Sequence, residues 1–270
     1  MNYEIRKPAP SLAPYVRYYW ALDVSNPDVI HPYRVIPQGC VELMFFYREP
    51  YYAINSAENR LSLLPYSIIS GQQHSWFELQ AAGSIGLFSV LFKPHGAHAF
   101  LRLPLSALTD RSIPFEDLAG REALELENKV VSANSIDERV KCIESFLLKR
   151  IPEKTDDLRR MDAVQETIRA LRAETSVEDL ASRACLGYKQ LSRIFTRFIG
   201  MTPKQYLKIV RFQHSLHVKQ HAPHISLTRL AMNCGYYDQA HFIRDFKEIT
   251  GMTPRRFFAL SDAYSDFFTR

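Results

Sequence analysis

Five polar side chains, Lys189, Ser192, Arg193, Thr196 and Arg197, succeed one another at intervals of 3, 1, 3 and 1. That spacing puts them on one side of a helix. Tyr188 and Gln190 stand beside them, and the opposite side carries Leu191, Ile194, Phe195 and Phe198, an apolar face fit for burial. Arginine bonds guanine through two parallel hydrogen bonds, and lysine, serine and threonine make lesser contacts to bases and phosphates. The chemistry such a stripe can perform is readout of a duplex from its major groove.

A second stripe lies 51 positions further on: Arg244 matches Arg193 and Lys247 matches Thr196, with Gln239 and His241 as further exposed candidates. Ala240 and Ile243 fall where Lys189 and Ser192 stand. The second face is therefore more apolar, suited to thymine methyls or to phosphate anchoring. Both stripes belong to an internal repeat. Gly200-Met201-Thr202-Pro203 and Gly251-Met252-Thr253-Pro254 are identical and 51 apart, whereas Leu180-Ala181 and Leu230-Ala231 are 50 apart. The second copy thus holds one extra residue in a turn. A fixed period of this kind means one supersecondary unit used twice.

The elements that must hold the stripes are legible from start and stop signals. Ser176 to Asp179 reads as a capping box opening a short helix with Val177, Leu180, Ala181 and Ala184. A turn through Cys185-Leu186-Gly187 leads to a helix over 188–199, which Gly200 ends. Thr202 and Pro203 then cap and start a long helix to about Gln220. In the second copy Leu227, Leu230 and Ala231 form the short helix, 234–237 the turn, and Asp238 caps a helix to Ile249. A lone pair of amphipathic helices is more often core than a reader of nucleic acid. Two copies with the same exits need a shared reason, and short helix, turn and polar-faced second helix is the logic of a helix-turn-helix. Two such helices in one chain would enter successive major-groove segments, about 34 Å apart on straight DNA.

Bulk properties agree. A chain of 270 residues holds one or two domains, and 46% hydrophobic with 23% charged residues is ordinary for a globular protein. No run approaches the roughly 18 apolar residues of a spanning helix, and the opening MNYEIRKPAPSL lacks the apolar core of a secretory signal. The four cysteines are far apart with no C-x-x-C, which argues against a zinc knuckle or disulfide framework and fits a reducing cytosol. Net charge is +1 over residues 1–115, −3 over 116–156 and +7 over 157–270, so the positive surplus sits with the repeat, as a polyanion partner requires.

Residues 1–115 read as β, with strands expected at 33–36, 41–47, 51–54, 67–70, 75–80 and 86–92. Two of these, LMFFY and GLFSVLF, are apolar on both faces. One face then meets the interior of a sandwich or barrel, and the other must be covered by helices or a partner. Glu42 alternates with apolar neighbours on such a strand. A carboxylate there faces inward and contacts a ligand, pairs with a cation such as Arg34, or points outward. His95 and His98 flank a Pro/Gly turn, with His31 and His74 further off. H-x-x-H at a turn lacks the strand-borne H-x-H pattern of a cupin metal site, so no metal or other cofactor is expected, and the histidines read as loop and cap residues. Residues 137–150 form an amphipathic helix, capped by Ser135 or Asn134, that either packs on the core or serves as a dimer interface. Residues 152–157 read as a linker, and a further helix runs from about Asp157 to Arg172.

The repeat, including GYYDQAHFIRDFK and the connecting-helix Arg211, closely resembles the AraC/XylS family of transcription regulators over about residues 160–260. The segments Ile36–Leu43 and Phe92–Leu101 are similar to the cupin-like domain of one branch of that family, with Gln38 for its Asp and His95 for its first Gly. The resemblance implies an α+β chain of two domains, an N-terminal cupin-like β-barrel with flanking helices and a C-terminal all-α double helix-turn-helix domain. The expected boundaries are 1–115 for the barrel, 116–156 for a helical bridge and linker, and 157–262 for the DNA-binding domain. It implies DNA contacts from Tyr188, Lys189, Gln190, Ser192, Arg193, Thr196, Arg197, Gln239, His241, Arg244 and Lys247. Glu42, His95 and His98 become candidates for contacting an effector. Double-stranded DNA is the implied partner, with a small-molecule effector, RNA polymerase and a second copy of the chain as further partners, no membrane, and a cytoplasmic location. Two other classes compete. An enzyme would need a nucleophile elbow, phosphate loop or metal triad, none of which is visible. A purely dimerising barrel is not distinguishable from a sensing one.

Overall fold

A computed structural model describes residues 1–25, 32–55, 60–151, 153, 155–171 and 175–260. His31, Pro152, Arg172 and the last residues of the 157–262 segment lie outside the described residues. The chain divides into two compact units. One comprises Met1–Val35, Cys40–Gln72 and Phe77–Glu153, and the other Lys154–Arg270 with the short segments Ile36–Gly39 and Gln73–Trp76.

Among its described residues the first unit holds ten strands: β1 (Asn2–Arg6), β2 (Val16–Val24), β3 (Tyr33–Val35), β4 (Glu42–Phe46), β5 (Tyr51–Asn55), β6 (Arg60–Leu63), β7 (Ser67–Ser70), β8 (Phe77–Ala81), β9 (Ile85–Phe92) and β10 (Ser112–Pro114). They form two antiparallel sheets, of order β1-β2-β9-β4-β7-β10 and β3-β8-β5-β6. The expected cupin-like barrel thus takes the form of two sheets rather than one closed ring. They meet at stacked Phe46 and Tyr51, with ring centroids 4.3 Å apart. β1, β2, β6 and β10 are strands that the sequence pattern does not announce, and the strand expected at 75–80 begins two residues later.

All five residues of β4 are buried, as its two-sided apolar run requires. Alternation sends Glu42, Met44 and Phe46 to one face and Leu43 and Phe45 to the other. The first set faces the four-stranded sheet. The second lies on the face that carries α1 (Gly96–Leu101), α2 (Glu116–Ala119), α3 (Arg121–Ser132) and α4 (Ile136–Leu148). There Phe45, Phe88 and Tyr19 stack in series at centroid distances of 6.2 and 6.3 Å. Leu126 and Val130 of α3 and Ile143 and Leu147 of α4 are buried. Ser135 caps α4 by accepting from the Glu138 N–H. Glu144 on α4 accepts from the Ala9 N–H at 2.7 Å and from the Tyr19 hydroxyl at 3.3 Å, which ties the helix to the N-terminal segment. Of the two uses expected for this helix, core packing is what these contacts provide.

The second unit is helical: α5 (Asp156–Leu171), α6 (Val177–Arg183), α7 (Tyr188–Ile199), α8 (Pro203–His221), α9 (Leu227–Asn233), α10 (Gln239–Thr250) and α11 (Pro254–Ala259). The repeat is visible element by element. α6 and α9 each have 7 residues, and α7 and α10 each have 12. Ser176 and Ser226 cap the short helices. Gly200 and Gly251 end the long ones in the left-handed region at φ 96° and 72°. Thr202 then caps α8, and Thr253 caps α11. Ser176–Asp179 and Thr202–Gln205 both close full capping boxes. Ser215 of α8 is buried and its hydroxyl donates back to the Phe212 carbonyl.

The turns locate the extra residue of the second copy. Leu186 N donates to Ala181 O, and Tyr236 N donates to Ala231 O, so the two turns match up to that point. Gly187 then caps α7, whereas Tyr237 is interposed before Asp238 caps α10. Tyr237 is the insertion, and it is 85% exposed. Within each turn one residue is left-handed: Cys185 at φ 53° in the first and Gly235 at φ 71° in the second. A side chain strains that conformation and glycine does not. Gly235→Ala is therefore expected to destabilise the chain, and Cys185→Gly to stabilise it, each by about 0.5–1 kcal/mol. Equilibrium denaturation with both variants measures this, and equal stabilities would contradict it.

Candidate nucleic-acid interface

Each of the two 12-residue helices is held by its apolar side. In α7, Leu191, Ile194, Phe195, Phe198 and Ile199 are buried, and Phe195 meets Tyr206 of α8 edge-on at 5.5 Å. In α10, Phe242, Phe246 and Ile249 are buried, and Phe246 meets Phe212 of α8 edge-on at 5.2 Å. Arg211 of α8 stacks over the Tyr236 ring at 5.6 Å, so the connecting-helix arginine braces the second turn.

The outer faces differ. On α7, Tyr188, Lys189, Gln190, Arg193 and Arg197 are exposed, and Ser192 and Thr196 are half-buried beside them. Among the described residues, Lys189, Gln190, Ser192, Arg193 and Thr196 make no side-chain hydrogen bond or ion pair, and Arg197 only leans over Phe198. Their donors are available to a ligand without first breaking anything. On α10, Arg244 and Lys247 are exposed and similarly unengaged, but Gln239 and His241 are half-buried and already used. Gln239 accepts from the Thr228 hydroxyl at 2.6 Å, and His241 Nε2 lies 3.5 Å from Asp245.

Asp245 is not among the residues that the stripes single out. It is 7% exposed and also pairs with Lys208 of α8 at 3.3 Å, and Lys208 reaches Glu248 at 2.8 Å. This network clamps α10 to α8 through charge. A carboxylate at i+4 from His241 is the available sequence signal; its partner on α8 lies 37 positions away, beyond any local pattern.

In the first unit, Glu42 lies on the inner face of β4. Its carboxylate accepts from Trp20 Nε1 at 2.9 Å and from the Ser89 hydroxyl. The pairing with Arg34 does not occur, because Arg34 binds Glu78 at 2.9 Å across β3 and β8. Burial pushes the Glu42 carboxyl above its ordinary value, and the two hydrogen bonds pull it part of the way back. Among the described residues, the buried hydroxyls of Tyr33 and Tyr51 have no hydrogen-bond partner, and neither end of the buried Gln72 amide has one. His95 is buried just before α1, and His98 sits half-buried within it. Among the described residues no three His, Cys, Asp or Glu side chains form a group that could hold a metal.

Comparison with known proteins respects the same division. Residues 4–114 match a family described only as a domain of unknown function, DUF6597, and residues 180–259 match a helix-turn-helix domain family. The chain is 34% identical over 80 residues to the HTH-type transcriptional activator RhaS of Escherichia fergusonii, covering 30% of this chain and 28% of that protein. It is 31% identical over 122 residues to the activator RhaR of Salmonella dublin, covering 43% of each. The chain thus spans less than half the length of these curated relatives. Among solved structures it is similar to ToxT of Vibrio cholerae at 11% identity and a TM-score of 0.48, with 96% and 99% of the two chains covered.

The Glu42 environment sets a pH dependence. A carboxyl whose folded value is raised favours folding while protonated. That contribution is whole below the ordinary value of 4.5 and is lost as pH climbs through the folded value. Glu42→Gln keeps one oxygen to accept from Trp20 and Ser89 and removes the titration. Chemical denaturation at pH 5 and pH 8 is expected to show wild type losing more stability between the two than the variant. Equal losses would contradict the assignment.

Proposed function

We propose that the whole chain is a sequence-specific transcription regulator governed by its β-rich unit, and that residues 180–259, which match a helix-turn-helix domain family, form a DNA-binding domain of the AraC/XylS type. The observation that carries this reading is the doubled element: two 12-residue helices in one 51-residue repeat, each presenting exposed cations beyond a buried apolar face. The helices α7 and α10 enter the major groove. Arg193, with Lys189, Gln190, Ser192 and Thr196, reads base edges, and Tyr188 and Arg197 flank it. Arg244 and Lys247 anchor the second helix on phosphate, with Gln239 and His241 held in fixed orientation by Thr228 and Asp245.

The first unit supplies control, by binding a small molecule or by pairing two copies of the chain. Glu42, His95 and His98 are its proposed effector contacts, and the unpartnered buried hydroxyls of Tyr33 and Tyr51 favour a polar guest beside Glu42. Double-stranded DNA is the principal partner, RNA polymerase the protein through which regulation acts, and the cytoplasm the place. No described helix is long and apolar enough to cross a membrane. The role is regulation, not catalysis.

DNA selected from a randomised pool by the purified chain tests this. Arg193→Ala is expected to weaken binding to the selected duplex by about 1–3 kcal/mol and to relax preference at one base. Lys247→Ala is expected to weaken all duplexes alike and to lower the salt dependence of binding by about one ion. Selection that enriches no sequence, or an Arg193→Ala variant binding as wild type, would overturn the reading.

A further inference from the structure

Four of the chain's nine histidines, His214, His217, His221 and His224, crowd the last turns of α8 and the turn that follows it. His217 and His221 are an i, i+4 pair, a spacing that sets two side chains one above the other on a helix. Both are exposed, so neither is there to fill a core. Their ring centroids lie 4.3 Å apart, with the planes tilted by 46°. Two imidazoles that share one ion at bonds of about 2.0–2.1 Å hold their centroids on the order of 4.5–5 Å apart. The observed spacing is close to that of a chelating pair.

The protons suit the same use. His221 Nδ1 lies 2.9 Å from the His217 carbonyl oxygen. A carbonyl only accepts, so Nδ1 carries the hydrogen, and the neutral ring keeps its lone pair on Nε2. A hydrogen bond of this kind decides which ring nitrogen takes a metal and holds the ring in orientation. The local field also favours a cation. The pair sits in the last turns of a 19-residue helix that contains no Asp or Glu, where the helix presents partial negative charge. Lys219, between the two histidines in sequence, donates to the Pro223 and Ile225 carbonyls, which offset its charge.

We propose that His217 and His221 form a two-histidine site for a divalent transition ion. Two histidines at i, i+4 on one helix face are a recognised bidentate donor set. Imidazole selects zinc, nickel or copper, whereas magnesium and calcium require oxygen donors. No third His, Cys, Asp or Glu joins the pair among the described residues, so water completes the coordination shell. A bound ion ties two successive turns together at the end of α8, before the chain turns towards α9 at Leu227. It thereby stiffens the helix on which α7 and α10 both pack. The site belongs to the second unit alone, and it does not depend on the reading of DNA.

The test uses the full chain, stripped of metal by chelator and without DNA. Titration calorimetry with nickel chloride compares wild type with His217→Gln, His221→Gln and His224→Gln, and magnesium chloride serves as the control ion. Wild type is expected to take up one nickel ion per chain saturably and to give no binding heat with magnesium. Loss of either imidazole removes the chelate, and affinity should fall roughly tenfold to a hundredfold. His224→Gln should bind as wild type. The substituted residues are exposed, and circular dichroism of each variant reports that it folds. No saturable nickel uptake by wild type, or a nickel affinity that either His217→Gln or His221→Gln leaves unchanged, would overturn the proposal.

Discussion

Both 12-residue helices of the repeat, α7 and α10, depend on α8. This 19-residue helix spans about 28 Å. It meets α7 through Tyr206 and α10 through Phe212, six residues further on. Six residues turn a helix by about 240° beyond a full rotation, so α8 offers its two clients different faces. Its start is fixed by the Thr202–Gln205 capping box with Pro203 in the first turn. The spacing of the two reading faces is therefore set by a single rigid rod rather than by a flexible connection. A duplex with a regular helical repeat is a partner for which such a fixed spacing has value.

Equivalent backbones do not give equal readers. The first stripe keeps its donors unengaged, so contact with a base costs it only the water it displaces. In the second, Gln239 and His241 already answer to Thr228 and Asp245, and base contact must compete with those bonds. The same network supplies rigidity. Lys208 holds the buried Asp245, and removing either would leave a charge in a poorly solvated place, which costs more than the pair itself contributes. Under the proposed function, the second helix serves as the anchor and the first carries discrimination.

Much of the second unit is legible in the sequence because its rules are local. Caps, glycine stops and the apolar period act within a dozen residues, and duplication states them twice. Even the inserted residue can be counted, although only the matched turn bonds identify it as Tyr237. The first unit is less transparent. β1 is short and half polar, and β2, with Tyr-Tyr-Trp-Ala-Leu in sequence, has no clean alternation. Gly120, at φ 54°, separates α2 from α3 where composition suggests one continuous helix. The fate of Glu42 depends on Trp20 and Ser89, which neighbouring strands bring alongside from 22 and 47 positions away. β4 divides the two interiors: its odd positions face the helices and its even positions face the second sheet.

The most direct measurement is a base-by-base substitution profile across the footprint of the full chain on a selected duplex. Two contacted major-groove segments one helical turn apart, about 10 base pairs, are predicted, with base preference concentrated in one and the other tolerant of exchange. One contacted segment only, or equal preference in both, would contradict a rigid pair made of one reader and one anchor.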